Sequence, residues 1–158
     1  MRKIGFSLML VIFLSAIISA FIETDDQDTS VDGMSEARIE NVDVQSALET
    51  LKINLESANE ENVERYLKTI ASTGREETEN AMNEFFAIHN VTHELLSFEV
   101  VDQSQDKIVL ETRQESIGSS SSSEEYRDHK SEVLHVFVPE DGDWVISESS
   151  VKNIEFIN

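Results

Sequence analysis

The chain has 158 residues, enough for one domain and an appendage, and it contains no cysteine. Disulfides, thiolate metal sites and a lipid-modified cysteine are therefore excluded. Its formal charge of −20 opposes the basic footprint that nucleic-acid binding needs, and an anionic membrane surface would repel it.

Residues 1–22 read as a targeting segment. Arg2 and Lys3 precede Ile4–Ile22, a run without charge. Small residues are wanted at −3 and −1 of a cleavage site, but Ala20 at −1 places Ile18 at −3. A cleaved signal peptide and an uncleaved N-terminal membrane anchor both remain open. Either one carries the rest of the chain out of the cytoplasm, secreted or anchored. Residues 23–41 form an acidic linker with Asp25, Asp26, Asp28, Asp32 and Gly33, too polar to offset its ordering entropy. Asp28, Ser30, Asp32 and Gly33 match the opening of a calcium loop, but its twelfth position, which needs a bidentate glutamate, is Ile39.

The folded domain is expected over residues 42–158. Val44, Leu48, Leu51 and Leu55 have helical spacing, with Asp43 placed to cap the start. A second helix after Asn59 carries Val63, Tyr66, Leu67 and Ile70 on one stripe until Gly74 breaks it. A third opens on Thr73 and Glu76, three residues apart as in a capping box. Its stripe is Thr78, Met82, Phe85, Phe86 and His89, and Asn90 is placed to stop it.

From Val91 the period becomes two. A first strand over about 92–101 carries Leu96, Phe98 and Val100 on one face. A second, over 107–117, sends Ile108, Leu110, Thr112 and Gln114 to its apolar side and Glu111, Arg113 and Glu115 to the other. Gly118 and the serines at 119–123 form a flexible loop. Strands at 126–138 and 144–151 then flank Pro139-Glu140-Asp141-Gly142-Asp143, where Asp-Gly supplies the positive φ of a hairpin turn. Ile154, Phe156 and Ile157 make a short apolar tail.

Three helices followed by a four-stranded antiparallel meander define an α+β domain. Val63-Glu-Arg-Tyr-Leu-Lys-Thr-Ile70, Phe85-Phe86 and the closing Leu134-His-Val-Phe-Val-Pro-Glu-Asp-Gly-Asp-Trp-Val-Ile146 resemble the nuclear transport factor 2-like superfamily. That superfamily includes the SnoaL-like polyketide cyclases and the ketosteroid isomerases. The resemblance implies a cone-shaped domain with helices packed on a curved sheet, a pocket between them, and often a dimer through the outer sheet face. Its members range from isomerases to modules without a known reaction.

A catalytic site of the isomerase kind needs a carboxylate base in an apolar pocket. No acid shares the apolar face of the first two strands, and the isomerase's catalytic aspartate and tyrosine match no position here. His135 and Asp128 are the weak candidates for a base, and the leading expectation is a non-catalytic exported domain. Thr112, Gln114, His135, Tyr66 and Trp144 are the expected pocket residues for a small apolar ligand, unless the partner is a protein. The rival expectation is a SnoaL-like cyclase or isomerase. No cofactor is implied. His89 and His93 have the spacing of a helical metal pair, but Asn90-Val91-Thr92 between them reads as a helix end, so no metal is expected. Asn90-Val91-Thr92 also fits an N-glycosylation acceptor. Strand 126–138 is apolar on both sides, with Leu134, Val136 and Val138 opposite Val133 and Phe137, which suggests that a homodimer covers the second face.

Overall fold

The structure is a computed structural model that describes residues 41–119 and 126–157. The expected targeting segment, the expected linker up to residue 40 with its calcium-like stretch, and most of the serine loop lie outside the described residues. Helix α1 is Val42–Asn59, α2 is Val63–Leu67, a 3-10 turn covers Ser72–Gly74, and α3 is Arg75–Ile88. Strands β1 (Val91–Gln103), β2 (Ile108–Gly118), β3 (His129–Glu140) and β4 (Asp143–Phe156) form one antiparallel sheet in the order β1-β2-β3-β4. The expected α+β meander is the observed one.

The stripe expected on α1 packs inward: Val44, Leu48 and Leu51 are buried and Leu55 packs against the core. Its cap, however, is Asn41, whose side chain accepts from the Asp43 N–H at 2.9 Å. Asp43 is turned instead to the Trp144 indole N–H, which it accepts at 3.3 Å. Helix α2 ends at Leu67 rather than running to Gly74. Ile70, beyond it, forms a parallel bridge with Ile146, so Thr69–Ala71 lies along the edge of β4. The expected capping box of Thr73 and Glu76 does not form, because Gly74 caps α3 without a side-chain bond. The nearby acceptor is Glu140 on the hairpin, which takes the Ser72 N–H at 3.0 Å, the Ser72 hydroxyl at 3.0 Å and the Arg75 guanidinium at 3.1 Å. A long-range carboxylate thus replaces the local cap.

The hairpin turn is the expected one. Glu140 pairs with Asp143, and Asp141 and Gly142 both have positive φ, 53° and 92°. Two positive φ values match the right-handed twist of the flanking strands, which is why Asp-Gly stands there. Strand β3 starts at His129 rather than Tyr126, and β4 continues to Phe156, absorbing most of the tail expected outside the sheet.

Directly opposed residues in an antiparallel pair share a face. On β2, Ile108, Leu110, Thr112, Gln114 and Ser116 are buried and define the inner face. A bulge between Leu95 and Ser97 changes the parity of β1, so Leu95 faces Gln114 while Phe98 faces Thr112. Leu96, expected inward, is therefore exposed, and Leu95 packs on the core in its place. Further shifts at Val100/Asp102 on β1 and at two places in β3–β4 bend and twist the sheet.

Candidate functional site

The inner face is built in cross-strand rows. At one end, Ile108, Leu110, Phe137 and Ile146 join Val44, Leu51, Tyr66 and Trp144 in a single apolar cluster. Tyr66 and Trp144, both expected to line a pocket, are components of this core. Burial raises the Tyr66 phenol, with an Asn54 hydrogen bond opposing it, and Trp144 is 7% exposed with its N–H on Asp43.

The middle of the face is polar and buried. Thr112, Gln114 and His135, the other three expected pocket residues, form one connected chain. Gln114 Nε2 donates to Thr112 Oγ1 at 2.9 Å and lies 2.8 Å from His135 Nε2, while the Thr112 hydroxyl donates to the Val133 carbonyl at 3.2 Å. Because the Thr112 proton is spent on that carbonyl, both amide protons of Gln114 point at acceptors. His135 Nε2 must then accept, which assigns the imidazole proton to Nδ1 and makes Nδ1–H donate to Ser149 Oγ at 2.7 Å. Burial holds the imidazole neutral, with its pKa lowered to about 4. A second proton at Nε2 would meet the Gln114 amide donor head-on.

This tautomer matters for chemistry. His135 and Ser149 are at the distance of a base and a nucleophile, but the nitrogen facing Ser149 carries the proton. The lone pair on Nε2 faces Gln114. Ser149, which strand alternation alone could not pair with His135, is the partner that sequence reasoning missed.

At the far end of the sheet a second group converges. His93 on β1 opposes Ser116 on β2, Ser116 opposes His129 on β3, and His129 opposes Phe156 on β4. His93 Nδ1 lies 2.9 Å from Ser116 Oγ, and Asn59 at the end of α1 clamps the His93 backbone in both directions, at 2.7 and 2.9 Å. Burial, then the nearby His129, lower His93 to about 4. Tyr126 packs beside this row. Its ring is 5.6 Å from His89, 5.7 Å from His129 and 6.5 Å from Phe85. Burial raises its phenol to about 12, against a Ser116 hydrogen bond that lowers it. His89 Nδ1 is enclosed without a hydrogen-bond partner, and Arg127 stacks 3.7 Å above Phe156. His89 is the C-cap of α3 and His93 lies in β1, on either side of the helix end expected between them. Among the described residues no three His, Cys, Asp or Glu side chains are grouped to hold a metal ion.

Asp128 stands apart. Its carboxylate accepts the Gly118 N–H at 2.8 Å and its carbonyl accepts the Ile157 N–H at 2.9 Å, so it ties the ends of β2 and β4 together. It lies seven residues from His135 along the same chain direction, about 23 Å at the rise of a strand. The two weak catalytic candidates therefore belong to different ends of the face.

Residues 49–157 match the family model described as "Anti-sigma-I factor RsgI9, C-terminal domain". The chain belongs to this family. No curated protein matched the chain. Solved structures match its fold. A Nostoc punctiforme protein of unknown function with a cystatin-like fold is 17% identical, with 70% of this chain and 90% of that chain covered and a TM-score of 0.59. A ketosteroid isomerase-like protein from Erwinia carotovora atroseptica is 14% identical, covering 72% and 98%, with a TM-score of 0.57. An NTF-2 like protein of unknown function from Shewanella oneidensis is 12% identical, covering 68% and 97%, at a TM-score of 0.54. The fold of this family member is thus the nuclear transport factor 2-like fold that its closing hairpin resembles. At such identities the likeness extends to the fold alone.

Proposed function

We propose that the chain is an exported, non-catalytic binding domain whose inner sheet face holds a small apolar ligand or a segment of a protein partner. One observation carries this reading: among the described residues, the inner face from His93 to Phe156 contains no aspartate or glutamate. An isomerase or cyclase of the acid–base kind needs a carboxylate or a free imidazole lone pair aimed at substrate. Here the acids stand on the opposite face, and the His135 lone pair is spent on Gln114. The family's name, the C-terminal domain of an anti-sigma-I factor, fits a domain that binds rather than converts. Residues 1–22 support export, with the domain tethered to the membrane if that segment stays attached.

Native mass spectrometry of the purified full chain tests the reading, with a co-purifying apolar molecule or protein as the expected result. Persistent emptiness would overturn it. Replacing His135 by alanine separates the rival: a binding domain loses stability, whereas an enzyme using that imidazole loses turnover with stability kept.

A further inference from the structure

The outer face of the sheet is the molecule's other unassigned surface. At its centre an apolar strip runs along β3 as Leu134, Val136 and Val138, all half-buried, with Val109 of β2 directly opposite Val136. From Leu134 to Val138 it extends about 13 Å at the rise of a strand, about two and a half turns of a helix. Helix α1, which makes the main helix contacts with β1 and β4, lies on the inner face with the core cluster. Only toward the hairpin is the outer face covered, where Val145 opposite Val138 is buried and Ser72 and Arg75 bond to Glu140.

Carboxylates frame the strip. Glu94 stands directly opposite Glu115, and Glu99 directly opposite Glu111. Like charges in directly opposed positions destabilise a sheet. Lys152, set out by a bulge in β4, reaches Glu111 at 2.7 Å, and Lys130 reaches Glu115 at 3.6 Å. Glu94, Glu99 and Glu148 have no ion-pair partner among the described residues. Arg113 on the same face pairs with Glu132 at 3.9 Å, so the glutamates of this face remain in excess of Arg113, Lys130 and Lys152.

We infer that this outer face docks a cationic amphipathic helix of a partner protein, its apolar stripe on Leu134, Val136 and Val138 and its lysines or arginines against the flanking glutamates. Charge selects this occupant. A second copy of the chain would set these glutamates against glutamates, and residues 23–41 of the same chain are acidic as well. A helix laid on the exposed face of a sheet completes the layering that such domains use. The inference rests on the binding-domain reading but concerns the opposite face, so an empty inner face would leave it standing.

The probe is a fluorescent Leu/Lys amphipathic helical peptide of about 18 residues, roughly five turns. Its controls are the Leu/Glu counterpart and a Leu/Lys peptide of scrambled order. Anisotropy is read against the full chain in nonionic-detergent micelles, with micelles alone as the baseline. The Leu/Lys helix is expected to bind, and to weaken several-fold as salt rises from about 50 to about 300 mM, because screening shortens the Debye length. Val136→Asp, and separately Glu99→Gln with Glu148→Gln, should each weaken binding at least about tenfold if strip and rim act together. Circular dichroism and Trp144 fluorescence would establish that the variants stay folded. Equal binding of the scrambled peptide, or full retention by the glutamine variant, overturns the inference. So does a concentration-dependent dimer of the wild-type chain that Val136→Asp abolishes, since the occupant would then be a second copy.

Discussion

Acidification should unfold this domain through two imidazoles. His135 is 6% exposed, and burial lowers it from 6.5 to about 4; His93 is lowered to about 4 by burial and by His129. Between pH 6.5 and 4 the unfolded chain binds protons that the folded chain refuses. Stability is therefore fully present above pH 6.5 and is lost as pH falls through that window. At ~1.4 kcal/mol per pKa unit, the gap amounts to about 3 kcal/mol for each ring. Two such losses rival the whole stability of a small domain, roughly 5–15 kcal/mol. Urea denaturation at pH 7, 6, 5 and 4.5, followed by the fluorescence of the single tryptophan, measures the effect directly. A pH-independent midpoint above 4.5 would refute the reasoning, as would an NMR titration of His135 near 6.5. Replacing both rings by glutamine should flatten the dependence over the same range.

Other perturbations probe the packing. Gln114→Ala leaves the His135 Nε2 acceptor buried without its donor, and should lower urea-unfolding stability by about 1–3 kcal/mol while letting the ring titrate closer to its ordinary value. Leu51→Ala, at a fully buried site in α1, should cost about 2–5 kcal/mol in the same assay. Gly118→Ala would put a Cβ 2.7 Å from that of Tyr126, so the ring must move, costing about 1–3 kcal/mol and shifting the NMR signals of Tyr126 and His89. Gly142→Ala meets no atom within 4 Å, yet at φ +92° it should still lose about 1–2 kcal/mol from backbone strain alone, readable as a lower thermal midpoint.

The inner face of the sheet was partly legible in the chain. Alternation on β2 already separated Thr112 and Gln114 from Glu111 and Glu115, and the acids do lie on the other side. It could not reveal that His93 meets Ser116 or that His135 meets Ser149, because register is a relation between strands. The helical stripe of α1 was legible for a related reason: its period is local, and Val44, Leu48 and Leu51 all bury as spaced.

Local chemistry failed where a distant group offered a better partner. Thr73 and Glu76 have capping-box spacing, yet Glu140, 68 residues from Ser72, holds that turn. Asp43 leaves the cap to Asn41 and turns to Trp144 instead. Leu96 and Leu95 exchange faces because one bulge inserts an extra residue, and nothing in an apolar pair says which member a bulge will turn outward. The chain by itself determined the element order, the Asp-Gly hairpin and the acid-free side of β2, since those rest on period and turn chemistry between near neighbours. Only the tertiary structure decided which nitrogen of His135 carries its proton and which glutamates are left facing one another. Both depend on groups that folding brings together from far along the chain.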